Sequence, residues 1–234
     1  MKARQLTPRQ RALVLGALGA LLVYLLIRRR ILTEDGILLL LVLFPSVILH
    51  EVSHGALALA FGDDTAKRAG RLTLNPAPHV DPLGTVILPA LLLLAGAPAF
   101  GWAKPVPVQP ARMRDPRNHA LLVSLVGPAV NVAVALAVAL VLRFSCIYES
   151  SSLAVKALFA LGLVNVVLAT FNLLPIPPLD GSAVVERLLP DRWWPAYVRI
   201  RPYSLLVLLA VVLIVPNVLS WVFEPAIGLW ERLI

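Results

Sequence analysis

An all-α polytopic membrane protein, with about five transmembrane helices, one re-entrant segment and short β-like strands in its loops, is what three features of the sequence predict. Hydrophobic residues fill 59% of the 234 positions and charged residues 15%, with a mean hydropathy of +0.84, values that suit a membrane protein better than a soluble domain. Several apolar runs are long enough to cross a bilayer as helices. The 21 lysines and arginines lie between those runs rather than in one stripe, so the net charge of +8 reads as positive loops at a membrane face and not as a nucleic-acid surface. The lipid bilayer is therefore an expected partner and nucleic acid is not. Cys146 is the only cysteine, which excludes an intrachain disulfide and a thiolate zinc site.

Taken in order, the basic stretch 1–11 and the apolar stretch 12–27 begin like a signal peptide. Arg28, Arg29 and Arg30 then stand where the small residues of a cleavage site would follow, which predicts an uncleaved first span with a cytoplasmic N-terminus. Thr33 or Asp35 is placed to cap a second span, 37–61. Residues 67–82 are polar and proline-rich, and Arg71, Leu72, Thr73 and Leu74 alternate like a short strand. His79 and Asp81 in this region are metal ligands by type, but a proline-laced loop more often spends such residues on its own backbone. Residues 84–100 are apolar yet short for a span, and contain Pro89, Gly96 and Pro98. A second extended, proline-broken segment, 101–108, follows, with Trp102 and Lys104 suited to a membrane interface.

The third span, 120–142, holds Asn131 as its one strongly polar side chain deep in the apolar run; an interhelical hydrogen bond is its ordinary use. After a polar connection, 143–156, a fourth span covers 158–174, with Asn172 just before Pro175, Pro177 and Pro178 end it. Irregular backbone at membrane depth is tolerated where it is buried in protein or lines a cavity, so Asp180 is a carboxylate delivered on an unwound segment. Residues 186–201 form a polar loop anchored by Trp193 and Trp194; 203–223 is the last span, and the remainder a short interfacial helix.

Charge settles the parity. If 84–100 is re-entrant, 15 of the 21 Lys and Arg fall on the side of the N-terminus and 6 on the other. If it crosses, the split is 10 against 11 and the positive-inside asymmetry is lost. The re-entrant arrangement also brings Asp180 to the side on which the second span ends, near His54.

That second span carries His50-Glu51-Val52-Ser53-His54 inside an apolar helix. Ionisable side chains at such depth are costly and suggest function. The spacing sets both imidazoles on one helical face, where they can share a zinc ion, with Glu51 beside them as a proton acceptor.

Together with Asn172-Leu173-Leu174-Pro175-Ile176-Pro177-Pro178-Leu179-Asp180-Gly181, this motif resembles the paired signature of the site-2 protease family of intramembrane zinc metalloproteases, and Gly127-Pro128-Ala129-Val130-Asn131 is similar to a third, weaker family element. The resemblance covers roughly residues 36–185. It implies one zinc per chain held by His50, His54 and Asp180, with Glu51 catalytic, and cleavage of a single-span membrane protein in or near its transmembrane segment. It further implies a multi-pass bacterial or archaeal cell-membrane enzyme of minimal form, without a PDZ or CBS module, with its active site toward the cytoplasm. The expected organisation is one membrane-embedded domain over 1–234: a catalytic core at 36–185, an N-terminal span in 1–35, and a C-terminal span and tail in 186–234.

Asn131 and Asn172 are the candidate donors to an oxyanion, or positioners of the substrate backbone. Leu72 and Val106 mark stretches that could present a strand edge to an extended substrate. Three other readings compete: a proton-coupled transporter, a zinc-binding scaffold without activity, and a metalloprotease with a glutamate as third ligand. For the last, Glu186 is the nearest rival to Asp180, Glu149 lying in the opposite loop.

Overall fold

The computed structural model describes residues 33–88, 91–92, 102–144, 152–215 and 217–234. The predicted first span, 12–27, lies outside them. Eight α-helices occur among the described residues: α1 (Glu34–Ala60), α2 (Thr65–Arg68), α3 (Pro116–Phe144), α4 (Leu153–Asn172), α5 (Ser182–Leu188), α6 (Trp194–Ile200), α7 (Ser204–Ile214) and α8 (Val218–Glu231). Four helical runs are long and apolar enough to cross a membrane: Gly36–Ala60, Pro116–Phe144, Leu153–Asn172 and Trp194–Ile214.

The ends of these helices follow local chemistry. Thr33 caps α1, its hydroxyl accepting the Gly36 N–H at 3.1 Å. Ser152 caps α4 in the same way through the Val155 N–H. The last span differs from its predicted 203–223: it starts at Trp194 and stops at Ile214. Asn217 then takes the left-handed conformation (φ 60°) before α8 begins. The high mean hydropathy of 203–223 concealed that break. The loop predicted at 186–201 is likewise largely helical, through α5 and α6.

Helices α1, α3 and α4 pack against one another and form the centre of the molecule. Their outer faces expose Leu41, Leu140 and Leu153, the surface a bilayer would cover. The buried polar residues Ser46, His50, His54, Asn131 and Asn165 face inward instead. Farther along α3 from Asn131, Ala135, Val138, Ala139 and Leu142 pack with Val155 and Val166 of α4 around Trp230 of α8. The Trp230 ring fills the notch at Gly162, where a Cβ would sit 2.8 Å from its Cη2. Its indole N–H donates to the Ala135 carbonyl at 2.8 Å, satisfying a donor that an apolar core would otherwise strand.

The two ends of the apolar segment after residue 84 meet. Trp102 N–H donates to the Gly84 carbonyl (3.1 Å), the Thr85 hydroxyl donates to the Trp102 carbonyl (2.9 Å), and Lys104 N–H donates to the His79 carbonyl (2.9 Å). One crossing would part those ends by about 30 Å. Here they lie within hydrogen-bonding distance of each other.

The short β-like strands are a correction, since no strand forms among the described residues. Residues 71–74 run as bends. The carbonyls of Pro78, Lys104 and Pro105 that a ladder would use accept instead from the Arg71 guanidinium. Pro105 and Pro107 have no N–H to donate in any case.

Candidate metal centre

Helix α1 delivers His50, Glu51 and His54, and the loop after α4 delivers Asp180. That loop closes on itself, with Gly181 N–H donating to the Asn172 carbonyl at 2.6 Å and Leu179 N–H to the Ile176 carbonyl at 2.9 Å. Asp180 is thereby held against the end of α4 and points back at α1. Its Oδ2 lies 3.0 Å from His50 Nε2 and 3.4 Å from His54 Nε2, and the two Nε2 atoms are 3.1 Å apart. Both histidines are buried.

The proton positions around these atoms follow from their neighbours. His54 Nδ1 faces the Val123 carbonyl at 2.6 Å, which can only accept, so Nδ1 carries the proton. For His50 the direction is set three residues away. Asn165 Nδ2 donates to the Leu161 carbonyl (2.8 Å), which fixes that amide so that its Oδ1 accepts from Asn131 Nδ2 (2.7 Å). Asn131 Oδ1 therefore accepts from His50 Nδ1 at 2.6 Å. Ser46 continues the chain, accepting from Asn165 Nδ2 (2.9 Å) and donating to the Val42 carbonyl (2.8 Å).

As neutral imidazoles, both histidines turn an Nε2 lone pair toward the Asp180 carboxylate, whose Oδ2 is buried without a hydrogen-bond partner. Three lone-pair donors then converge on one point, an arrangement suited to a cation. Tetrahedral zinc with bonds of about 2.0–2.1 Å sets its ligand atoms about 3.3 Å apart, and the observed 3.0, 3.1 and 3.4 Å bracket that edge. Among the described residues, His50, His54 and Asp180 form the one His/Cys/Asp/Glu group close enough to hold a metal. Gly127 of α3 backs the pair: a Cβ there would stand 2.6 Å from the Cε1 atoms of His50 and His54.

These residues border a cavity of about 1120 Å³, which also takes in Glu51, Trp102, Val106, Asn172 and Pro178. Glu51 Oε2 accepts the Val106 N–H at 2.8 Å. Asn172 lines the cavity, with its amide nitrogen on the Leu168 carbonyl. Asn131, expected as an oxyanion donor or substrate positioner, is fully buried, with its amide oxygen on His50 and an amide N–H on Asn165. Leu72 lies against Gly55 behind the cavity. Glu186 lines the same cavity but is not in the metal group; it accepts the Tyr197 hydroxyl (2.7 Å) and pairs with Arg201. His79 and Asp81 serve their own loop: His79 Nε2 meets the Thr73 carbonyl, and Asp81 caps the turn of helix at Pro82–Ile87.

Asn165 escaped the reading of the sequence. It lies seven positions before Asn172 on one helical face, and a second amide at span depth was the signal available.

The model of peptidase family M50 matches residues 147–215, which include the Asp180 loop. A Bacillus subtilis protein named "Putative zinc metalloprotease YwhC" is 39% identical over 199 residues, covering 81% of this chain and 85% of its own. Proteins named "Putative zinc metalloprotease Rip2" are 35% identical over 188 residues in Mycobacterium tuberculosis (80% of this chain, 70% of theirs) and 33% over 181 residues in Mycolicibacterium smegmatis (76% and 67%). No solved structure matches. Likeness of this degree over most of both chains, joined to a buried two-histidine, one-carboxylate group, places the chain in peptidase family M50, the site-2 protease family of zinc metalloproteases.

Proposed function

We propose that this zinc metalloprotease hydrolyses a peptide bond within or near the transmembrane segment of a single-span membrane protein, as in regulated intramembrane proteolysis. The observation that carries the reading is the meeting of His50, His54 and Asp180 lone pairs inside the helix bundle, at a cavity shared with Glu51. Zinc held by those three residues supplies a Lewis acid for the scissile carbonyl and lowers the pKa of water. Glu51 takes the proton of the attacking water and returns it to the leaving nitrogen. With Oε2 on the Val106 N–H, Oε1 is the oxygen we assign to that proton. Asn172, the asparagine left at the cavity, contacts the substrate backbone or oxyanion. Residues 102–108 border the cavity and are where an unwound, extended substrate would lie, with Leu72 supporting them from behind.

We place the N-terminus and the mouth of the site on the cytoplasmic side of the cell membrane. The asymmetry of 15 against 6 basic residues favours this, and so does the meeting of the two ends at Gly84 and Trp102. The membrane-embedded unit over 36–185 is on this reading the catalytic core. Comparison of membrane proteomes from cells carrying the wild-type and Glu51→Gln proteins tests the proposal. Single-span proteins should accumulate in the variant although it keeps its zinc; identical proteomes would favour a scaffold without activity.

A further inference from the structure

Arg71 is buried, 6% exposed, and among the described residues no carboxylate pairs with it. Its two terminal nitrogens bond backbone, Nη1 donating to the Pro78 carbonyl and Nη2 to the carbonyls of Lys104 and, at 3.1 Å, Pro105, while the buried Nε has no partner. A buried cation without an anion is expensive, and loop stapling alone could be had from a neutral amide. Its position suggests why the charge is there. The Pro105 carbonyl and the Val106 N–H belong to one trans peptide unit, so they point in opposite directions. The carbonyl end meets the Arg71 guanidinium, and the N–H end meets Glu51 Oε2 at 2.8 Å. The cation and the carboxylate thus face each other across a single peptide dipole, aligned with both. Charge at the carbonyl end strengthens the donor at the other end, since hydrogen bonds in series polarise one another.

We propose that Arg71 is a positioning residue for Glu51, acting through the Pro105–Val106 peptide to hold the carboxylate in the orientation that receives the proton. This rests on the reading of Glu51 as the proton acceptor. Without the guanidinium, the segment 104–106 is free to turn, Glu51 loses its fixed donor, and the oxygen meant for the proton rotates away. The zinc ligands, held by Asn131, Val123 and the Asp180 loop, are untouched.

The test is a double-mutant cycle on the full chain in detergent with zinc, using a single-span substrate, and reading kcat, KM, zinc content and deuterium exchange of the 104–108 backbone. Arg71→Gln should lower kcat about 10²-fold, the scale of a catalytic group misplaced by a distant change, with a smaller change in KM and zinc content near wild type. Exchange at 104–108 should rise. Arg71→Lys, which keeps charge but loses the fork, should fall between the two. Val106→Pro deletes the N–H itself, and adding Arg71→Gln to it should cost nothing further. Multiplying losses, a change confined to KM, or loss of zinc with kcat restored by added metal would overturn the proposal. If Arg71→Gln cannot be purified folded, the same cycle with Arg71→Lys decides. Glu51→Gln is the control: if it cleaves at the wild-type rate, the functional reading fails, whereas an inactive Glu51→Gln beside a fully active Arg71→Gln refutes the role of Arg71 alone.

Discussion

Replacing Gly127 by alanine sets two effects of opposite sign against each other. In the interior of a helix the change is ordinarily stabilising, by about 0.5–1 kcal/mol. At this position in α3, the new Cβ would stand 2.6 Å from His50 Cε1 and from His54 Cε1. Carbon atoms rest about 3.5–4.0 Å apart, so roughly 1 Å must be found. Neither imidazole can yield freely, because each Nδ1 is held by a 2.6 Å hydrogen bond, to Asn131 Oδ1 and to the Val123 carbonyl. Either α3 retreats or the rings turn off the point they share with Asp180. Overpacking of this kind costs about 1–3 kcal/mol, more than the propensity gain. Disturbing the support of metal ligands lowers metal affinity about 10–100-fold. Gly127→Ala should therefore bind zinc that much more weakly in competition with a chelator, and melt at a lower temperature without metal. Gly228→Ala in α8, with nothing within 4 Å of its Cβ position, is the matched control and should leave zinc binding alone. A Gly127→Ala protein that binds zinc within about twofold of wild type at an unchanged Tm would refute the steric reasoning.

Four other substitutions probe the site and the loop beside it. Asn165→Leu touches no ligand, yet should weaken zinc about tenfold by releasing Asn131 and hence His50, as measured by the same competition. Asp180→Ala should lose zinc while Glu186→Ala, which frees only Tyr197 and Arg201, keeps it; metal analysis giving the reverse pattern would move the third ligand to Glu186. Outside the membrane segments, burial pushes the Asp63 carboxyl up, but hydrogen bonds from Thr65 and the Gln109 N–H outweigh it and hold the group below its usual range. Its stabilising contribution is then complete above the unfolded value of about 3.9 and lost as pH falls through the lower folded value. Asp63→Asn should lower Tm at neutral pH, with the gap to wild type closing in acid; a gap that does not change with pH would contradict this.

The parts of the site that sequence discloses are those with a period or a sign. His50 and His54 share a helical face because of their spacing, and the charge asymmetry predicts Asp180 near His54, where it lies. Helix α1 was legible almost to the residue, since its apolar run is bounded by Thr33 and by Gly62-Asp63. What stayed hidden depends on side chains meeting across long separations. Asn131 reads equally well as an oxyanion donor or a helix-packing amide until its partner, Asn165, is known. Arg71 looks like part of an alternating strand because nothing local says that its guanidinium will claim carbonyls 33 and 34 residues away. The end of the last span was missed for a different reason: hydropathy averaged over 203–223 smooths across the break at Asn217, whereas a helix does not.

The hydrogen-bonded series from Ser46 through Asn165 and Asn131 to His50 begins and ends on α1, passing through α4 and α3 on the way. In a bilayer these helices gain little by hiding apolar surface from one another, so such a circuit acts as a key that is satisfied at a single rotation and height of all three. Metal affinity then becomes a gauge of helix assembly. A lipid thickness or detergent that shifts α4 by a fraction of a turn should register as weaker zinc binding, through Asn165 and through the Asp180 loop held at its end. By linkage, zinc should in turn resist the parting of the helices.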